Sequence, residues 1–460
     1  MLHTKPASKA VYIWYILDVT SLSMVNVACL QLIQMLLASH YHVPMEEVRE
    51  KLVVVTTFAS ILQYMAATLV VPIYSLVIKR FSPWVIIFFT WLGEQYMLVL
   101  SILAFLYPAN ASQIVHFIVY SISLLQGLSG AGPSIHAGWK AIAHASYIDE
   151  PFVLFITSIP IFSFFLGPFF ASYLLFHISL FQLYLVAWLL HFVSGVAFSL
   201  IFYHSPTYSA SSLETQPLFA SFEVAEEVNC PGSFPSEDQV HRQHLSLHLI
   251  SSLYKKYIKN INDVLFNSYF FQLTPTCRWL LMSFVFYMPS SVFFNYYVQY
   301  LLNVTKFPLE KVTFISSLQT FGSLVTCSIL TYLSAFDHLT IQTFHYILIG
   351  GTLTLSILTM AYYTALNSFI PFLAFFHGMS RSMEPIFHSL LTIHAPLSSL
   401  QAYWRISAIF EAFATCFSYI CLAYFYLQGT ERRHLLFFLG PALLTLLSCF
   451  SSLLFHRYSS

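Results

Sequence analysis

Long apolar runs separated by short polar breaks set the pattern of this chain from about residue 11 to residue 456. The runs fall near residues 11–38, 52–78, 84–107, 113–133, 152–176, 178–203, 276–302, 311–334, 341–363, 368–390, 402–428 and 435–456. A hydrocarbon core about 30 Å thick takes roughly 20 helical residues to cross, and each run reaches that length. Backbone N–H and C=O groups in lipid must pair within their own segment, so runs of this kind are helices. The pattern predicts an all-α membrane protein with twelve transmembrane helices. Composition agrees: 58% of residues are hydrophobic and 8% charged, where soluble domains carry about 25% charge.

One break is long. Residues 204–275 divide the chain into a six-helix bundle over 1–203 and a second over 276–460. Ser205 to Asp238 is rich in Ser, Pro and Glu and has no apolar pattern that could build a core. Over about 245–266 the character changes. Ile250, Leu253, Tyr254, Tyr257, Ile258 and Ile261 recur at helical spacing, with Lys255, Lys256 and Lys259 on the other face. That is an amphipathic helix, lying either on the membrane surface or against the ends of the spans. His241, His244 and His248 just before it could share one helical face. A solvated face accounts for them, so no metal and no cofactor are expected.

Charge supplies the orientation. Lys plus Arg and Asp plus Glu balance at 19 each, which gives no pull toward nucleic acid. Lys5, Lys9, Lys79, Arg80, Lys140, Lys255, Lys256, Lys259, Arg278 and Arg457 share one side. Arg49, Lys51, Lys306, Lys311, Arg432 and Arg433 share the other. The positive-inside rule then places both termini in the cytoplasm. The same topology puts the sequons at Asn110 and Asn303 outside, as glycosylation candidates. The seven cysteines lie mostly within apolar runs and show no pairing pattern. Plasma membrane and endomembrane (ER, Golgi or vacuole) both remain open.

Six spans, a long loop and six more spans resemble the major facilitator superfamily of secondary transporters, and three local motifs strengthen the likeness. Ser75-Leu-Val-Ile-Lys79-Arg80-Phe-Ser-Pro-Trp84, after span two, is similar to the family's G-x-x-x-D-R-x-G-R-R loop, with Arg80 at the arginine and Lys79 where the acid stands. Gln126-Gly127-Leu-Ser-Gly130-Ala-Gly132 in span four resembles R-x-x-Q-G, with Ser123 in place of the arginine. Gly167-Pro168 in span five resembles the antiporter G-P motif. Tyr147-Ile-Asp149-Glu150 is similar to the acidic loop end of tetracycline-exporter-like members. The resemblance implies two pseudo-symmetric bundles, and gating contacts at Lys79, Arg80, Asp149, Glu150, Gly167 and Pro168. It also implies a central cavity lined by spans one, four, seven and ten, which favours Asp18, Gln126, Asn295, His377, Arg381 and Glu384 as substrate-facing. Ser123 argues against proton-driven drug export. With 14 glycines in the whole chain, close helix contacts are expected to rest on Ser, Ala and aromatic packing.

Ionisable groups inside spans point to chemistry, since each costs at least ~2.5–3.5 kcal/mol at a helix centre unless partnered or wet. Asp18, Glu94, Arg381, Glu384, Arg405 and Glu411 qualify, and Glu94 and Glu411 lie nearest mid-span. A substrate or proton role competes at each with a structural hydrogen bond. Arg381 and Glu384, three apart on one helix, can pair with each other. His377 lies one turn before Arg381. No phosphate loop, dinucleotide fingerprint or catalytic Ser or zinc motif occurs, so an enzyme is not expected. The expected activity is alternating-access transport of a small organic solute, with a coupling ion and the lipid bilayer as the other partners, by a monomer. The alternative is a transporter-like receptor or scaffold. A polar cavity lined from both halves would favour transport; one filled by Phe and Tyr would favour the scaffold.

Overall fold

The computed structural model describes residues 6–45, 47–80, 83–129, 150–204, 274–335, 340–394, 400–429 and 434–459. The predicted amphipathic helix, the three loop histidines and Asp149 lie outside these residues. The described elements are helices: α1 (Pro6–Tyr41), α2 (Arg49–Arg80), α3 (Pro83–Leu106), α4 (Pro108–Gln113), α5 (Val115–Leu128), α6 (Glu150–Leu175) and α7 (Leu180–His204) in the first half. The second half holds α8 (Pro275–Asn303), α9 (Leu309–Ala335), α10 (Ile341–Thr364), α11 (Ile370–Arg381), α12 (Met383–His394), α13 (Leu400–Gly429) and α14 (His434–Ser459). Among the described residues nine helical stretches are long and apolar enough to cross a membrane by themselves. α4 with α5, α6, and α11 with α12 complete twelve crossings in two six-helix bundles.

Two crossings depart from the sequence pattern. The fourth begins at Pro108 rather than near residue 113, because a proline near the start of α4 opens that helix early and Ile114 interrupts it. The tenth is broken at Ser382. Pro385 has no N–H for the carbonyl of Arg381 four residues earlier, so the ladder cannot run through. The Tyr287 hydroxyl of α8 donates to that carbonyl instead. Ser323 Oγ of α9 meanwhile donates to the Gly378 carbonyl of α11, four residues before Ser382, at 2.6 Å. Neighbouring helices thus satisfy what the break exposes.

The two bundles repeat one packing scheme. α1 packs on α6 and α7 as α8 packs on α13 and α14; α2 packs on α5 as α9 does on α11; α3 packs on α7 as α10 does on α14. Between the halves α2 meets α13 and α6 meets α9, the same pair exchanged by the pseudo-two-fold axis. Glycine, though scarce, sits at the matched crossings. A Cβ on Gly127 would collide with the Gln63 carbonyl of α2, and one on Gly378 with the Gln319 carbonyl of α9. Close approach there depends on the missing side chain. Serine joins other helices: Ser283 Oγ of α8 lies 3.0 Å from Ser448 Oγ and 2.6 Å from Ser452 Oγ of α14.

Among the described residues Thr57, Gln299 and Ser172 carry hydrogen bonds between the halves at the side where α1 ends and α2 begins. Thr57 Oγ1 lies 2.8 Å from the Tyr296 hydroxyl, Gln299 Nε2 donates to Thr56 Oγ1 at 3.5 Å, and Ser172 Oγ donates to the Glu310 carbonyl at 3.2 Å.

Candidate functional site

A cavity of about 580 Å³ lies between the halves. Asn26 of α1, Gln63 and Tyr64 of α2 and Gln126 of α5 reach it from the first half. Asn295 and Gln299 of α8, Arg381 of α11, Glu384 of α12, and Glu411 and Tyr419 of α13 reach it from the second. Of the substrate-facing candidates, Gln126, Asn295, Arg381, Glu384 and Glu411 line this cavity; Asp18, Glu94 and His377 do not.

The break in the tenth crossing decides how its charges are presented. Arg381 is the last residue of α11 and Glu384 the second of α12. A cation near a helix C-terminus and an anion near an N-terminus both match the local dipole. Interrupting the helix also removes the spacing by which residues three apart would pair. Among the described residues no ion pair joins Arg381 to Glu384. Arg381 Nε instead donates to Ser291 Oγ of α8 at 3.1 Å. The positive and negative groups therefore face the cavity without neutralising each other, against the pairing the sequence suggested.

Aromatic and amide groups complete the wall. Asn295 Nδ2 donates to the Tyr419 hydroxyl at 3.1 Å, and Tyr419 stacks across the seam on Tyr64 with ring centroids 5.8 Å apart. Gln126 Nε2 lies 3.1 Å from Met97 Sδ. Pro168 lines the cavity, and Gly167 beside it lets α6 approach α1, since a Cβ there would sit 2.7 Å from the Thr20 carbonyl. Lys79 and Arg80 end α2 and Glu150 begins α6. Asn110 is exposed in α4, and Asn303 is the last residue of α8.

A second polar group lies inside the first bundle, away from the cavity. Asp18 of α1, Glu94 of α3 and His191 of α7 meet there, 3%, 7% and 0% exposed. Asp18 Oδ1 lies 2.9 Å from His191 Nδ1 and accepts from Ser194 Oγ at 2.7 Å. His191 Nε2 faces Glu94 Oε2 at 4.0 Å. Trp91 stacks on the imidazole at 5.7 Å and donates its indole N–H to the His191 carbonyl. His377 is packed in the second bundle among Phe293, Phe294 and Tyr362, with Nδ1 3.3 Å from Gln319 Nε2. His191, Gln63, Tyr64 and Tyr419 had no signal of their own in the sequence. A lone histidine in an apolar run, and tyrosines among 29, stand out only once the helices are assembled.

No family model matches the chain. It is 35% identical over 465 residues to the "Meiotically up-regulated gene 111 protein" of Schizosaccharomyces pombe, covering 99% of this chain and 98% of the relative. Among solved structures it is similar to the human organic anion transporter MFSD10 (TETRAN), with a TM-score of 0.61 at 12% identity over 98% of this chain and 100% of that one. The major facilitator superfamily proton:xylose symporter XylE gives a TM-score of 0.63 at 11% identity, over 99% of this chain and 96% of the other. A bacterial homologue of the iron transporter ferroportin gives 0.58 at 11% identity, covering 98% and 99%. At such identities the likeness establishes the fold.

Proposed function

This chain belongs to one family with the Schizosaccharomyces pombe Meiotically up-regulated gene 111 protein and has the major facilitator fold, and from that premise we propose that it is a secondary transporter of a small organic solute. The cavity between the halves carries the reading. Its volume of about 580 Å³ lies within the range of small-molecule sites, and both bundles supply polar groups to it. A site at the interface of two pseudo-symmetric bundles becomes accessible to each face in turn if the bundles rock about it. The structural neighbours handle an organic anion, xylose and iron, so the fold leaves the solute open and the lining has to be read directly. Arg381 offers a guanidinium, Glu384 and Glu411 offer carboxylates, and the Tyr64–Tyr419 stack offers aromatic faces. Such a wall suits a dipolar organic solute with an apolar or aromatic part. Basic residues in the short loops support cytoplasmic termini.

Accessibility tests the mechanism without knowing the solute. In a chain with its native cysteines replaced, Gln126→Cys and Ser323→Cys should react with an impermeant thiol reagent from either face of sealed vesicles. Cross-linking Thr57→Cys to Tyr296→Cys should block labelling from the side where those residues lie and spare the other. Labelling from one face only, with the cross-link absent, would instead fit a receptor or scaffold that no longer alternates.

A further inference from the structure

We propose that His191 and Glu94, with Asp18 behind them, form a binding site for one divalent transition-metal ion inside the first bundle, separate from the solute cavity. The hydrogen-bond network fixes the imidazole first. Ser21 Oγ donates to the Asp18 carbonyl at 2.6 Å, so toward His191 Nδ1, 3.3 Å away, it serves as an acceptor. Asp18 Oδ1, 2.9 Å from Nδ1, accepts as well. Nδ1 therefore carries the hydrogen, which leaves Nε2 as the ring atom with a lone pair to offer a metal. That lone pair points at Glu94 Oε2, another electron-rich atom, across 4.0 Å. Both atoms are buried and neither has a hydrogen-bond partner among the described residues.

The spacing indicates what belongs between them. A shared proton would draw nitrogen and oxygen to about 2.7–2.9 Å. Metal–nitrogen and metal–oxygen bonds of roughly 2.0–2.2 Å at a tetrahedral angle would hold the two atoms about 3.4 Å apart, so the gap would close by about 0.6 Å around the ion. Metal binding would deprotonate the ligands: both carboxylates ionised beside a neutral imidazole carry a double negative charge, which one divalent cation cancels inside the lipid-embedded bundle. The mixture of one imidazole nitrogen with carboxylate oxygens suits Mn, Fe, Co or Zn rather than Mg or Ca. Asp18 takes the position usual for the carboxylate that orients a metal-binding histidine, and one donor atom from each of the three residues lies within 4.8 Å of the others. None of the three lines the cavity, so the ion is a resident that ties α1, α3 and α7 together rather than the transported solute.

Full-length, tag-free protein would be produced in metal-depleted medium with His241, His244 and His248 changed to Ala, so that the central loop does not compete. Titration with Co²⁺ should then load one ion per chain and develop the visible absorption of a nitrogen- and oxygen-ligated site. Glu94→Gln and His191→Gln should lose both signals. Asp18→Asn should weaken binding about 10–100-fold, as loss of an orienting carboxylate does elsewhere. Arg381→Gln and Glu411→Gln, in the cavity, should bind as wild type. Adding Zn²⁺ or Mn²⁺ to the unsubstituted triad should also raise the unfolding midpoint, a readout that needs no variant to fold. Absence of saturable Co²⁺ uptake and of any such shift would overturn the assignment, as would stoichiometric binding that survives Glu94→Gln.

Discussion

Replacing Tyr287 with Phe keeps the ring that packs against Phe284 and Phe387 and removes one hydroxyl. That hydroxyl donates to the Arg381 carbonyl at the break in the tenth crossing. Pro385, four residues on, has no N–H to take its place. Tyr287 is fully buried, so water does not reach the carbonyl easily once the phenol is gone. Stranding a buried acceptor costs about 1–3 kcal/mol, and single interhelical hydrogen bonds in membranes average nearer ~0.6 kcal/mol, so a loss of about 1–2 kcal/mol is expected. Pro385→Ala supplies an N–H at the position that completes the ladder. In the Tyr287→Phe background it should therefore recover most of the loss, whereas in wild type it should do little. Reversible unfolding in mixed micelles, measured on the two single variants and the double, gives the coupling directly. Costs that simply add to within about 0.5 kcal/mol would mean the two residues act independently, and the account of the break would fail.

Other consequences are open to test. Gly378→Val drives a side chain into the Gln319 carbonyl, so α9 and α11 must separate; a stability loss of about 1–3 kcal/mol or more and reduced folded yield are expected, and wild-type stability would contradict the close crossing. Arg381→Lys keeps the charge but shortens the reach and loses the planar fork, so solute binding should fall at least about tenfold while thermal stability changes little, as read by binding and melting on one preparation. Tyr296→Phe removes the Thr57 contact between halves and should shift the equilibrium toward opening at that end by about 0.6 kcal/mol, or roughly threefold in labelling rate of a cavity cysteine; an unchanged rate would refute it.

The twelve crossings and the division into two bundles were legible because lipid imposes one rule on every span, and hydropathy reports that rule directly. Arg381, Glu384 and Glu411 were picked out as ionisable groups within apolar runs, Gln126 and Asn295 through the family resemblance, and all five face the cavity. Asp18 and Glu94 were picked out for the same reason and lie elsewhere, because polarity shows that a residue needs a partner and not which partner it has. His191, whose contacts with Trp91 and Ser21 come from 100 and 170 positions away, could not be found by spacing. The break at Ser382 was written in Pro385, yet a proline in a membrane helix is often tolerated without interruption. The glycines gave a misleading impression when counted. Their scarcity suggested that crossings would rest on other residues, while their placement at two matched crossings makes several of them hard to replace.

The three hydrogen bonds between halves form a weak latch. At about 0.6 kcal/mol each, they bias the molecule by only about 2 kcal/mol, roughly thirtyfold, toward the arrangement that holds them. By themselves, bonds of that strength would leave a few per cent of molecules unlatched by heat alone, and a ligand that prefers the released form by a similar amount would bring the two arrangements to equal population.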